Sequence, residues 1–250
     1  MNERKKIING TSQVTCVGII MDGNRRWAKE NNLPAYEGHA EGYKKLKEIV
    51  RFAREAGIPH VAMYAFSTEN WQRSEKEVGY LINLFRFILE NETKKMLNER
   101  VRVRFVGDRE RFSTDMQKMM DRMEKVSATM YDITLHLLMS YGGRAEILSA
   151  VNALFSESRD SSRVSADAKH DIAKPQITED DFIQKLWSHD MPDPDLIIRT
   201  GGEKRLSNFL PWQSIYSELF FTNTKWPAFT KKEFNTILSE FSTRERRSGK

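Results

Sequence analysis

Short apolar, β-branched runs alternate along this chain with segments whose apolar residues recur at helical spacing. Val14–Met21, His60–Phe66, Val101–Val106, Ile133–Met139, Asp195–Ile198 and Glu218–Thr222 read as strands. His39–Ala56, Glu75–Leu97, Ser113–Val126, Arg144–Ser156 and Thr230–Phe241 read as helices, the first closed by Gly57 with Pro59 just beyond. Such a rhythm argues for parallel pairing, because parallel strands need long crossovers and the crossover helices then cover the sheet. The expected fold is therefore α/β, a single domain with a central, mostly parallel β-sheet flanked by helices. A chain of 250 residues can bury a sizeable core in one such domain. No internal repeat or second compositional block divides it. Residues 1–13 are polar and basic and read as a flexible basic N-terminus ahead of a folded domain over 14–250. Ser158–Pro175, rich in Ser, Asp, Arg and Lys without periodicity, reads as a mobile surface loop.

Open α/β sheets bind ligands at the carboxyl ends of their strands. Four polar segments fall there: Asp22-Gly23-Asn24, Ser67-Thr68-Glu69-Asn70-Trp71, Tyr141-Gly142-Gly143-Arg144 and Arg199-Thr200-Gly201-Gly202-Glu203. In the first, the apolar run Val17–Met21 ends in a carboxylate, a glycine turn, and Arg25, Arg26 and Trp27 at a helix start. Backbone N–H groups at a helix start and arginine side chains both suit a phosphate, and Asp22 could carry a divalent cation bridging to it. A plain Asp-Gly turn is the competing reading. Arg199 to Ser207 is a second phosphate candidate, with Arg199, Arg205, Lys204, hydroxyls and a glycine pair. Glu218, beside Leu219, Phe220 and Phe221, needs a metal or a salt-bridge partner if buried. Two anion sites and two carboxylates suit a reaction on two phosphorylated substrates. No Walker A loop, dinucleotide glycine fingerprint or Gly-x-Ser-x-Gly elbow is present.

The segment Glu75–Leu97 carries Val78, Leu81, Ile82, Phe85, Ile88 and Leu89 on one face, with Leu84 and Phe87 widening the stripe. Such a helix either lies deep in the core or packs on one side and lines an apolar cavity on the other. The net charge of +5 points to anionic partners. Acidic and basic residues are interspersed rather than gathered in a stripe with stacking aromatics, which argues against nucleic acid. The single cysteine, Cys16, rules out an intrachain disulfide and fits a reducing cytosol. No apolar stretch approaches the ~20 residues that span a bilayer, and Met1–Gly10 lacks the apolar region of a signal peptide. The expected location is cytoplasmic. The histidines His39, His60, His136, His170 and His189 show no metal-ligand spacing with one another or with Cys16.

Taken together, Met21-Asp22-Gly23-Asn24-x-Arg26-Trp27-Ala28, Gly38-His39, Tyr64-Ala65-Phe66-Ser67-Thr68-Glu69-Asn70-Trp71-x-Arg73, Tyr141-Gly142-Gly143-Arg144, Asp195–Glu203 and Ser207-Asn208-Phe209-Leu210-x-Trp212-Gln213 resemble the cis-prenyltransferases, most closely the bacterial undecaprenyl diphosphate synthases. The resemblance runs from about Val14 to Gly249, in the family's motif order. It implies a homodimeric, Mg²⁺-dependent transferase that adds isopentenyl diphosphate units to an allylic diphosphate, with a hydrophobic tunnel for the growing chain. A long product of this kind is the lipid carrier for cell-wall sugars; tunnel shape sets the length, so shorter products belong to the same chemistry. By resemblance Asp22 handles Mg²⁺ and diphosphate, and Glu218 assists with the metal. Gly23, Asn24, Arg25, Arg26, Trp27 and His39 hold the allylic diphosphate. Arg73, Arg199, Arg205, Leu206 and Ser207 hold isopentenyl diphosphate, while Ser67, Thr68, Glu69, Asn70 and Trp71 order the substrate pair. An amide is too weak a base to take a proton at neutral pH, so Asn70 acts by positioning. The Leu81–Leu89 face walls the tunnel, and Arg247-Ser248-Gly249 reaches the partner subunit's site. An apolar product implies loose contact with a membrane surface. A non-catalytic partner subunit would lack the Asp-Gly-Asn or the Arg-Thr-Gly-Gly segment, and both are present. The chain departs from the family pattern at Ala35, His136, Ser140 and Lys204, where arginine, asparagine, asparagine and histidine are frequent.

Overall fold

A computed structural model of the chain describes residues 14–164 and 176–244. Residues 1–13, 165–175 and Arg247–Gly249, on which three of the expectations above fall wholly or partly, lie outside the described residues. The strands are β1 (Cys16–Ile20), β2 (His60–Ser67), β3 (Val101–Val106), β4 (Ile133–Tyr141), β5 (Leu196–Arg199) and β6 (Glu218–Phe221). They form one six-stranded sheet in the order β3-β4-β2-β1-β5-β6. Every pairing is parallel, so the sheet is wholly rather than mostly so. The helices are α1 (Asn24–Glu30), α2 (Ala35–Glu55), α3 (Glu75–Asn91), α4 (Thr93–Asn98), α5 (Thr114–Ser127), α6 (Gly143–Val164), α7 (Glu179–Ile183) and α8 (Lys231–Thr243).

β1 is buried along its whole length, as a central strand covered on both faces must be. Val17, Ile19, Val61, Met63, Leu135 and Leu137 pack on one face with Leu46, Ile49, Met116, Met120 and Phe234 from the helices. Cys16, Ile20, Ala62, Leu138 and Tyr141 build the other core with Ile197, Phe209 and Leu210. Burial, then the charge of Asp195, pushes the Cys16 thiol up, so it serves as a small core residue. From β1 the chain builds outward through β2, β3 and β4, then returns to β1's other side with β5 and β6. The direction of winding therefore reverses between β1 and β5, and a crevice opens at such a point.

Two segments differ from their expected shape. Glu75–Leu97 is two helices, interrupted at Glu92. Glu92 is buried and accepts Lys47 Nζ at 3.1 Å and Lys95 Nζ at 2.9 Å. The chain breaks where this carboxylate turns inward, while the apolar spacing runs on across the break. In addition, α6 continues to Val164, into the first part of the stretch read as loop.

The unusual His136 finds its partner across the sheet. His60 Nδ1 and His136 Nε2 meet at 3.1 Å, on adjacent strands β2 and β4. Such a contact holds one proton: two N–H groups or two lone pairs would repel. His136 Nδ1 is buried with no partner, which favours His136 Nε2–H donating to His60 and leaving Nδ1 as a bare lone pair. Burial, then the His60 charge, lowers the His136 pKa to about 3; Arg104 and Arg102 act in the same direction and Asp190 opposes. His60 is lowered too, by burial and then Arg102. The unfolded chain takes up protons that the folded one refuses, so stability is lost as pH falls from about 6.5 toward about 3. Thermal unfolding between pH 7 and pH 4 should show a Tm that falls more steeply for the wild type than for His136→Asn. Equal slopes would mean that the pair is not what makes the fold acid-sensitive.

Candidate active site

The site begins with a backbone locked in place. The Asp22 carbonyl accepts Thr200 Oγ1 at 2.8 Å and Trp226 N at 3.0 Å, and its own N–H bonds Ile20 O at 2.9 Å. Gly23 then turns the chain into α1 at φ +104°, where a Cβ would come within 2.9 Å of the Lys225 side chain. α1 lies tight on α2 because Gly38 has no side chain: a Cβ there would fall 2.2 Å from Asn24 O. This packing puts Arg25 and Arg26 of α1 and His39 of α2 on one rim.

A cleft of about 950 Å³ opens at the carboxyl ends of the strands, at the β1/β5 reversal. It brings together most of the residues singled out from sequence: Asp22, Gly23, Asn24, Arg25, Arg26, His39, Ser67, Glu69, Asn70, Arg73, Arg199, Arg205 and Ser207. Trp27, Thr68, Trp71, Leu206 and Glu218 are not part of its lining. Trp71 packs on Phe66 and Phe112, and its indole N–H donates to Ser140 Oγ at 2.9 Å. The departure at Ser140 thus supplies this buried acceptor. Leu206 packs into the second core, and Glu218, on edge strand β6, accepts Arg244 Nη1 at 2.7 Å. Lys29, Tyr64, Ala65 and Asn208 also line the cleft. Tyr64 and Ala65 head the motif that runs to Arg73, and Asn208 follows Ser207, so their place in those motifs was the available signal.

The electrostatics are those of an arginine cluster only partly balanced by carboxylates. Asp22 Oδ2 accepts Arg199 Nη2 at 2.9 Å, and its Oδ1 accepts Arg26 Nη2 at 3.0 Å. Glu203 takes Arg205 at 2.6 Å and lies 3.8 Å from Arg26. Glu77, from the first turn of α3, takes Arg73 at 2.8 Å and lies 3.5 Å from Arg25. The sequence reading missed Glu77, since nothing local marks one surface carboxylate as the tie between two elements. Five arginines share these three carboxylates, so positive charge remains for an anion. Arg199 is buried; it also donates to Ser207 Oγ at 2.7 Å and to the Arg205 carbonyl, yet its Nε–H has no partner. An unsatisfied buried donor beside a cleft is a place for a ligand's acceptor.

His39 is held neutral. Burial, then Arg73, lowers its pKa to about 4, and its Nε2 also lacks a partner. Asn70 Oδ1 accepts the Ser67 N–H at 3.0 Å, capping a short 3-10 turn, which leaves the Asn70 Nδ2 donor for the cleft. Ser207, Asn208 and Leu210 all have left-handed backbones, at φ +50°, +69° and +49°. Non-glycine residues persist there only when their surroundings hold them. Asn208 is held from both sides, accepting Arg144 N at 2.9 Å and donating to Glu69 at 3.0 Å. Among the described residues no three His, Cys, Asp or Glu side chains converge on a metal point. The cleft instead offers Asp22 amid arginine side chains, a set that would suit a hard cation sharing its oxygens with an anionic ligand.

Residues 20–249 match the sequence family described as "Putative undecaprenyl diphosphate synthase". An isoprenyl transferase of Thermotoga maritima is 43% identical over 233 residues, 93% of this chain and 95% of that protein. One of Chromobacterium violaceum is 41% identical, over 94% of this chain and 87% of that protein. Among solved structures, a lavandulyl diphosphate synthase from Lavandula x intermedia in complex with dimethylallyl diphosphate superposes with a TM-score of 0.85 at 29% identity, covering 95% of this chain and 98% of that one. A "probable undecaprenyl diphosphate synthase" from Campylobacter jejuni gives 0.76 at 30% identity, covering 96% and 100%. With an arginine-lined cleft at the β1/β5 crevice and relatives matched over nearly their whole length, the chain belongs to the undecaprenyl diphosphate synthase family of prenyl transferases.

Proposed function

We propose that this protein condenses isopentenyl diphosphate units one after another onto an allylic diphosphate, first farnesyl diphosphate. The product is a long-chain Z-polyprenyl diphosphate such as undecaprenyl diphosphate, the precursor of the cell-wall glycan carrier. The observation that carries this reading is one cleft that gathers five arginines around Asp22 and also includes Leu81 of α3 in its wall. Arg25, Arg26, Asn24 and His39 on the α1/α2 rim take the allylic diphosphate, and Arg73, Arg199, Arg205 and Ser207 take isopentenyl diphosphate. Clamping both in one cleft converts a two-body encounter into an oriented one. As the allylic C–O bond breaks, charge grows on the leaving diphosphate, and the preset guanidinium groups stabilise it. Asn70 Nδ2 orients the pair, and the proton lost as the new double bond forms goes to a diphosphate oxygen or water. Mg²⁺, held by Asp22 together with diphosphate oxygens, would supply further charge neutralisation. Glu218 bears on the metal only from beyond the cleft lining, a role we assign to the assembled dimer with Arg247–Gly249.

Support for an apolar tunnel comes from α3. Leu81, Ile88 and Leu89 are buried and Val78, Ile82, Leu84 and Phe85 pack half-buried against the core, while Phe87 is 54% exposed, so the apolar stripe extends past what the core covers. Support for a homodimer comes from α6, where Leu148, Val151 and Phe155 form a stripe 62%, 47% and 62% exposed. Leu148→Asp with Val151→Asp should convert a dimer into a monomer by light scattering, with the circular dichroism spectrum kept. A dimer that persists would place the interface elsewhere. No helix among the described residues is long and apolar enough to cross a membrane. We place the protein in the cytoplasm, touching membranes through its product.

Product analysis tests the reading. Purified protein with farnesyl diphosphate, labelled isopentenyl diphosphate and Mg²⁺ should give a long Z-polyprenyl diphosphate, and none once the metal is chelated. A short product would keep the chemistry and remove the carrier role. No product from any allylic starter, dimethylallyl diphosphate included, would overturn the proposal.

A further inference from the structure

Both oxygens of Asp22 are occupied by guanidinium groups, Arg199 on one side and Arg26 on the other. Arg199 cannot swing out freely: it is buried, and Ser207 Oγ and the Arg205 carbonyl hold its Nη1. Its Nε–H, however, is unsatisfied. A cation arriving alone would have to displace two like charges from Asp22; Arg26 has Glu203 at 3.8 Å to turn to, whereas Arg199 is given no second carboxylate among the described residues. A diphosphate supplies acceptors for Arg199 Nε and Nη2 and for Arg26. It also brings the remaining oxygens that a hard cation needs.

Resting on the diphosphate and metal roles proposed above, we propose that Arg199 is a gate on Asp22, so that divalent-ion binding is conditional on a diphosphate held by Arg199. Arg199 thereby couples the two ligands. By linkage, a diphosphate that opens Asp22 to the cation is itself held more tightly when the cation is present. The gate also keeps Asp22 from collecting free divalent ions between turnovers. Arg26, 45% exposed on α1, is the looser of the two covers, and Arg199 at 5% the tighter.

The test is Mn²⁺ binding, read by electron paramagnetic resonance as loss of the free-ion signal, on the purified full chain without substrate. Wild type should bind Mn²⁺ weakly. Arg199→Gln should bind it at least about tenfold more tightly, within the usual range for coupled sites, and adding Asp22→Asn to it should abolish the gain. Arg26→Gln, at an exposed position where folding is not in question, should give a smaller gain. Arg205→Gln removes a positive charge from the same cleft without touching Asp22, and should change little. For the wild type, inorganic pyrophosphate should draw down Mn²⁺ beyond what a protein-free pyrophosphate solution does. Tight Mn²⁺ binding by wild type alone, lost on Asp22→Asn, would overturn the gate and keep the metal reading. A gain from Arg205→Gln equal to that from Arg199→Gln would overturn it in favour of plain charge repulsion. No Mn²⁺ binding in any variant, with or without pyrophosphate, would overturn both the gate and the metal role.

Discussion

Asp22→Ala is expected to lower turnover by about 10³-fold or more, the scale of losing a preset charge-handling group at a reacting centre, with the fold retained. The loss should appear in kcat, not in diphosphate affinity. Asp22 occupies Arg199 and Arg26, so removing it releases two guanidinium groups to a diphosphate. Metal-free pyrophosphate should therefore bind the variant at least as tightly as it binds the wild type, measured by calorimetry with a chelator present. A variant that loses diphosphate affinity while keeping its turnover would show that Asp22 shapes the anion site rather than serving the chemistry.

Glu146→Ala is expected to cost about 3 kcal/mol or more of folding stability, because it strips partners from several buried groups at once. Glu146 is fully buried at the start of α6. It accepts Tyr141 OH at 2.6 Å, Ser188 N at 3.0 Å, Ser188 Oγ at 2.7 Å and Gln213 Nε2 at 3.0 Å. One carboxylate thus ties the end of β4 and the start of α6 to the segments around Ser188 and Gln213. Urea denaturation should show the midpoint displaced well below that of the wild type. Glu146→Gln, which keeps acceptor capacity at one oxygen, should lose less. A loss under about 1 kcal/mol for alanine would mean that water or repacking replaces the network. Activity should fall with stability, since Gly143 N and Arg144 N at the same helix start hold Asn208 in the cleft at 2.9 Å each.

The parts of this architecture legible in the sequence are those fixed by local pattern. Runs such as Ile133–Met139 and His60–Phe66 are apolar enough to be strands buried on both faces, and glycine and proline after Ala56 end a helix where they should. The convergence of the Asp22, Ser67 and Arg199 segments followed from strands running the same way, since parallel strands put their carboxyl ends on one rim. What escaped was set by partners distant in sequence. The break at Glu92 depends on Lys47, 45 positions away, and no periodicity records it. The pairing of His60 with His136 depends on strand order, and Glu77's hold on Arg25 and Arg73 depends on how α3 meets α1. For Glu218 the sequence left a metal and a salt-bridge partner both open, and only the fold, with β6 at one edge of the sheet, supplies Arg244 as that partner.

The adjacency of β1 and β5 has a bearing on motion. Ile20 and Arg199 are register partners in the sheet interior, and the Thr200 amide bonds the Ile20 carbonyl at 3.3 Å. Amide hydrogens in such a ladder exchange with solvent only when the whole domain opens. α3, joined to its neighbours by side chains alone, can loosen at far lower free energy. Deuterium uptake along the chain should therefore be slowest in the β1/β5 ladder beside Asp22 and Arg199 and faster along α3. The division leaves the α3 side of the cleft free to change shape while the arginine side keeps its geometry.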